Sequence, residues 1–88
     1  MPRLIFSEKF DRKLREFFKK HPEIERIVKQ KLIILQQNPK DRRLKIHKLF
    51  GKFKGMSSAY ITYEYRLIFY WERNVIYLVA IGTHDEVY

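Results

Sequence analysis

Two histidines and a scatter of basic and aromatic residues give this sequence its chemical options. His84 lies in the run Ile81-Gly82-Thr83-His84-Asp85-Glu86-Val87-Tyr88, where an apolar strand runs out. An imidazole ordinarily titrates near pH 6.5, so it can give or take a proton under neutral conditions. His47 sits in the basic stretch from Asp41 to Phe50 and could flank the same groove. Glu64 precedes Arg66 by two residues, a spacing that puts both on one face of a strand. Its carboxylate could serve as a base, hold an imidazole in one tautomer, or simply pair with Arg66 at the surface. Lys52 and Lys54 flank Phe53 between Gly51 and Gly55. Flexible glycines let the backbone approach an anion there, and the lysines would neutralise it. Tyr60, Tyr63 and Tyr88 offer rings on which unpaired bases could stack, although such rings also serve as core or rim.

Other chemistries find little footing. The three histidines are dispersed, with neither a close pair nor an HExxH pattern, so no metal site is expected. There are no cysteines, which excludes disulfides and thiolate ligands. Ser57-Ser58 lacks the G-x-S-x-G turn of a serine nucleophile. No cofactor motif is present, and none is expected.

The charge balance names the kind of partner. Lys and Arg number 19 against 10 Asp and Glu, a net charge of +9. Counterion release and electrostatic steering then favour a polyanion, with RNA the leading choice. No run of about 18 apolar residues exists to span a membrane, and the short apolar start at Pro2–Phe6 meets charges too early for a signal peptide. The cytoplasm is the expected compartment. The length predicts a single domain over 1–88, and the seven Phe, six Tyr and one Trp supply its core.

The elements that must position these residues follow from periodicity. Arg3-Leu4-Ile5-Phe6 reads as a first strand. Ser7 reads as an N-cap, and Phe10, Leu14 and Phe17 form one helical stripe. His21-Pro22 breaks this helix, leaving His21 a helix-end residue, and a second helix runs to Asn38-Pro39. Three strands are predicted at 56–62, 65–71 and 75–81, with a tight hairpin at Glu72-Arg73-Asn74. The last is almost wholly apolar, which predicts a central position. The predicted fold is α+β in the order β-α-α-β-β-β: a mostly antiparallel four-stranded sheet with two helices on one face and a ligand on the other. Leu67, Phe69 and Trp71 should pack on the helices, with Arg66 on the open side.

Taken together, His47-Lys48-Leu49-x-Gly51-x-Phe53-Lys54-Gly55, Tyr65-Arg66-Leu67-Ile68-Phe69 and the Gly82-Thr83-His84 tail resemble the RelE/ParE toxin superfamily, above all its YafQ-type branch. The resemblance spans nearly the whole chain and implies a small microbial-ribonuclease-like fold. It implies a type II toxin that cuts mRNA in the ribosomal A site, the RNA's own 2′-OH attacking the adjacent phosphate to leave a 2′,3′-cyclic phosphate. It also implies a cognate antitoxin, with operator DNA bound only through the toxin–antitoxin complex. Carried over, His84 would pass a proton to the leaving 5′-oxygen and His47 would be a second active-site histidine. Glu64 stands where the branch has a functional Asp, and Tyr88 matches a terminal aromatic of the site. Lys52, Lys54 and Arg66 would stabilise phosphate charge. Tyr60 replaces a His of the branch and Ser58 an Asp, so proton transfer would fall on His84, His47 and Glu64, with Tyr60 as a substitute. Two alternatives stay open: a ParE-like toxin that acts on DNA gyrase without cutting RNA, and a catalytically weak relative that only binds RNA or the ribosome.

Overall fold

The structure is a computed structural model, and it describes residues 1–87. Strand β1 (Arg3–Phe6) leads into helix α1 (Glu8–Lys20) through Ser7. The Ser7 hydroxyl accepts a hydrogen bond from the Phe10 amide at 3.0 Å, a cap worth about 1 kcal/mol. Glu8 and Asp11 lie in the first turn and Lys19 and Lys20 in the last, both matched to the helix dipole. The chain then breaks at His21-Pro22. A short 3-10 turn (Pro22–Ile24) starts helix α2 (Glu25–Gln37), which Asn38 caps.

After a second 3-10 turn (Arg42–Leu44) come β2 (His47–Lys48), β3 (Ser57–Tyr60), β4 (Tyr65–Glu72), β5 (Val75–Thr83) and a closing turn of helix, α3 (His84–Val87). The sheet is mixed and has five strands, in the order β1-β5-β4-β3-β2. This corrects the expected four. The fifth strand is His47–Lys48, only two residues long, polar and exposed. It carries no apolar alternation because it is an edge strand, and short, charged edges guard against stray pairing. β1 pairs parallel to β5, and the other three pairings are antiparallel. β5 is an interior strand between β1 and β4, but of its residues only Ile76 and Leu78 are buried, so its apolar run does not mark a middle strand covered on both faces.

One cluster joins helices to sheet. Phe10 and Leu14 of α1 and Val28, Leu32 and Leu35 of α2 bury against Ala59, Leu67, Phe69, Ile76 and Leu78. Trp71 does not join them; it is 45% exposed. β4 outruns α2, so Trp71 overhangs the loop after the helix, beside Pro39 and Ile46.

Two features prepare the opposite face. A bulge in β5 sets Ile68 opposite Ala80 but Phe69 opposite Leu78, leaving Val79 as the extra residue. The phase change lets Leu78 and Ile81 both serve the helix side, while Ala80 and Gly82 turn to the other. Small residues therefore lie across from Ile68 and Arg66, where space is needed. The segment between β2 and β3 also folds across this face, since Phe53 borders a groove with Tyr70, Tyr77 and Ala80. The expected open face is thus partly covered, and Ser58 and Ile68 are buried on it.

Candidate active site

Register builds the site directly. His47 lies across from Ser58, and Tyr60 across from Arg66, which in turn faces Gly82. His84 follows at the end of β5. Its backbone N–H donates to the Glu64 carbonyl at 2.8 Å, which ties the tail to the β3–β4 loop. Lys45, His47, Tyr60, Arg66 and His84 consequently line one open cleft of about 250 Å³.

The cleft is strongly cationic. Lys45 Nζ lies 4.6 Å from the centroid of the Tyr60 ring, the Arg66 guanidinium carbon 4.8 Å, and Lys31 Nζ 5.4 Å. The negative face of that ring offsets part of the repulsion among three neighbouring cations. Arg66 is further fixed by its Nη1, which donates to the carbonyls of Thr62, Tyr63 (3.1 Å) and Tyr65 (3.0 Å). Arg66 thus closes the β3–β4 loop while its positive charge stays at the cleft. His84 Nδ1 lies 3.6 Å from a fully exposed Asp85 carboxylate, a pairing that holds the ring only weakly.

Lys45 depends on an anchored turn. It has φ +44°, a left-handed conformation that costs a non-glycine residue roughly 1–2 kcal/mol. Leu44, fully buried beside it, pins the turn to the core. Asp41 caps the turn through the Arg43 amide (2.9 Å) and grips the Arg43 guanidinium at 3.0 and 2.8 Å. Lys31 of α2 donates to the Arg43 carbonyl at 3.2 Å. Partial burial pushes the Lys31 ammonium below its ordinary value, and nearby Arg43 adds to this. Hydrogen bonds from Arg43 hold the Asp41 carboxyl down at about 2. A depressed carboxyl stabilises the fold fully above its ordinary value of 3.8 and loses that effect as pH falls through about 2. Urea midpoints of the native chain and of Asp41→Asn should therefore differ by a constant amount above about pH 4.5 and converge towards pH 2. A gap that does not change with pH would deny the clamp its role.

Four of the residues singled out in the sequence meet here: His47, His84, Tyr60 and Arg66. Among the described residues, the others do not line the cleft. Glu64 is exposed on the β3–β4 loop and meets His84 through its backbone. Lys52 Nζ lies 5.2 Å from the Phe53 ring centroid. Lys54 borders a separate recess with Phe50, Met56 and Trp71. Tyr88 lies outside the described residues, and Tyr63 is 83% exposed away from the cleft. His21 packs between Phe17 and Tyr65 at the end of α1, a structural position. Sequence reasoning missed Lys31 and Lys45. Lys45 ends the 3-10 turn before β2, where neither strand alternation nor a helical stripe marks its side. Among the described residues no group of three or more acidic or histidine side chains could hold a metal ion, and no helix is long and apolar enough to cross a membrane.

The model of the family described as the bacterial toxin of type II toxin–antitoxin systems, YafQ, matches residues 3–88. The chain belongs to the YafQ toxin family. This places it with the RelE-like toxins, as the His47–Gly55 segment and the Gly82–His84 tail suggested. No curated protein matches the sequence significantly. Among solved structures, YafQ from E. coli strain BL21(DE3) superposes with a TM-score of 0.80 at 19% identity, over 100% of this chain and 99% of that one. A copper-bound mutant toxin from Helicobacter pylori gives 0.77 at 19% identity, over the whole of both chains. The YoeB–YefM complex from Staphylococcus aureus gives 0.73 at 20% identity, over 96% of this chain and 98% of that one. At such identities these likenesses speak for the fold, which this YafQ-family chain shares.

Proposed function

We propose that this toxin is a ribosome-dependent endoribonuclease that cuts mRNA in the A site. The observation that carries this reading is the convergence of His47 and His84 in one cleft with Lys45 and Arg66. Two imidazoles and two cations are what 2′-OH attack on phosphate needs. His47 takes the proton of the 2′-OH as the 2′-oxygen bonds to phosphorus. The bond from phosphorus to the 5′-oxygen breaks, and His84 supplies that oxygen with its proton. The products are a 2′,3′-cyclic phosphate and a free 5′-hydroxyl. Lys45 and Arg66 stabilise charge that builds on the non-bridging oxygens. The nucleophile belongs to the RNA, so the protein's part is proton transfer and positioning.

The positive surface also suits an antitoxin. E. coli YafQ is known in a toxin–antitoxin complex with DinJ, and S. aureus YoeB in one with YefM. By extension this chain, with its net charge of +9, is held in check by an antitoxin carrying an acidic segment, and the pair binds its operator through the antitoxin. The site of action is the cytoplasm, where ribosomes translate.

The test is to add purified toxin to programmed ribosomes carrying labelled mRNA, with ribosome-free RNA as a control. Cleavage on ribosomes alone, leaving a cyclic-phosphate end, is the expected result. Intact mRNA with well-folded protein, together with gyrase-dependent DNA damage in cells, would instead select the ParE-like alternative.

A further inference from the structure

A second groove, of about 520 Å³, which the mechanism above does not use, runs from α1 and the end of β1 onto the sheet face that carries the histidines. Phe53, Tyr70, Tyr77, Val79 and Ala80 line it together with Lys9 and Lys13 of α1. The Tyr70 and Tyr77 rings stack with centroids 4.6 Å apart and planes 18° from parallel. Lys52 Nζ lies over the Phe53 ring. Among the described residues no carboxylate lines the groove.

From this placement we infer that the groove binds single-stranded RNA flanking the scissile phosphate, an inference that rests on the ribonuclease reading. Aromatic faces take unpaired bases without regard to sequence, and lysines take the phosphates between them. The two clefts lie on either side of the buried pair Ser58 and Ile68, so a strand running between them passes over these side chains and not along them. Ala80 of the groove lies opposite Ile68, Ile68 opposite Ser58, and Ser58 opposite His47. Along β4, Arg66 and Tyr70 are four residues apart, about 13 Å at the rise of a strand. A strand leaving the histidine cleft reaches the rings within a few nucleotides. The bulge at Val79 helps to shape this path, because it turns the small Ala80 to the face between the two sites.

The experiment measures fluorescence anisotropy of the antitoxin-free toxin with uncleavable 2′-O-methyl oligoribonucleotides of two, four and six residues. The native chain should tighten at least about fivefold from the shortest to the longest, the effect of one base–aromatic stack. The double variant Lys9→Gln/Lys13→Gln, exposed and remote from the core, and the variant Phe53→Ser should both lose that gain. Tyr77→Ser should lose it as well, provided its circular dichroism matches the native chain. Arg26→Gln, exposed on α2 and lining neither cleft, should keep it. No gain with length in the native chain, or an undiminished gain in the groove variants, would overturn the inference. So would groove variants that bind the oligonucleotides normally and lose only antitoxin. Failure of the native toxin to cut mRNA on ribosomes would sink the ribonuclease reading alone, since the length dependence is read without cleavage.

Discussion

If the proposed ribonuclease reading holds, alanine at His84 should lower the single-turnover rate of mRNA cleavage on programmed ribosomes by about 10²–10⁴, the usual contribution of a positioned acid or base. The fold should survive. The His84 side chain is about half exposed, with a relative accessibility of 52%. The bond that ties this position to the β3–β4 loop runs from its backbone N–H to the Glu64 carbonyl, and alanine keeps it. The loss is therefore chemical. In the proposed mechanism the 5′-oxygen would leave as an unprotonated alkoxide without the imidazole, while Lys45 and Arg66 would still hold the phosphate. Ribosome binding should change little, so the defect should appear in the rate at saturation and not in the concentration needed to reach it. Native rates from His84→Ala would remove this histidine from the proton path.

Much of this arrangement could be read from the residues, and the exceptions have physical reasons. Ser7, His21-Pro22 and Asn38-Pro39 mark helix ends through local chemistry, and the helices begin and end there. β4 and β5 announce themselves by composition, and Arg66 falls on the face opposite Leu67 by simple alternation. The bulge at Val79 was not legible, because an almost continuous apolar run reads the same in either phase. β2 was hidden for the opposite reason, having no apolar residue to count. Lys45 lies before β2 in a left-handed turn, so alternation could not place it beside His47, and no glycine marks that turn. Gly51 and Gly55, at φ +65° and +87°, do mark the turns of the intervening loop. Glycine spacing says that a loop bends, not which way its lysines point, and Lys52 and Lys54 turn towards other surfaces.

Arg66 is where fold and chemistry meet, and Arg66→Ala should damage both. Its Nη1 gathers three carbonyls of the β3–β4 loop, the same loop whose Glu64 carbonyl receives the His84 amide. Losing that donor should cost about 1 kcal/mol, because water replaces it at a partly exposed site. A shift in the urea midpoint would show this. The catalytic loss should be larger, about 10²–10³ in the rate at saturation, because in the proposed mechanism a preorganised charge facing the phosphorane would be gone. The His84 anchor should loosen with the loop, so the effects of Arg66→Ala and His84→Ala should not add in the double variant. Arg66→Lys separates charge from shape. An ammonium restores the positive charge, but it cannot hold three carbonyls with one planar group and still offer the rest of that group to a phosphate. The lysine variant should therefore stay well below native activity. Full recovery with lysine would mean that charge alone matters. A change confined to KM would mean that Arg66 holds bound RNA without favouring the transition state.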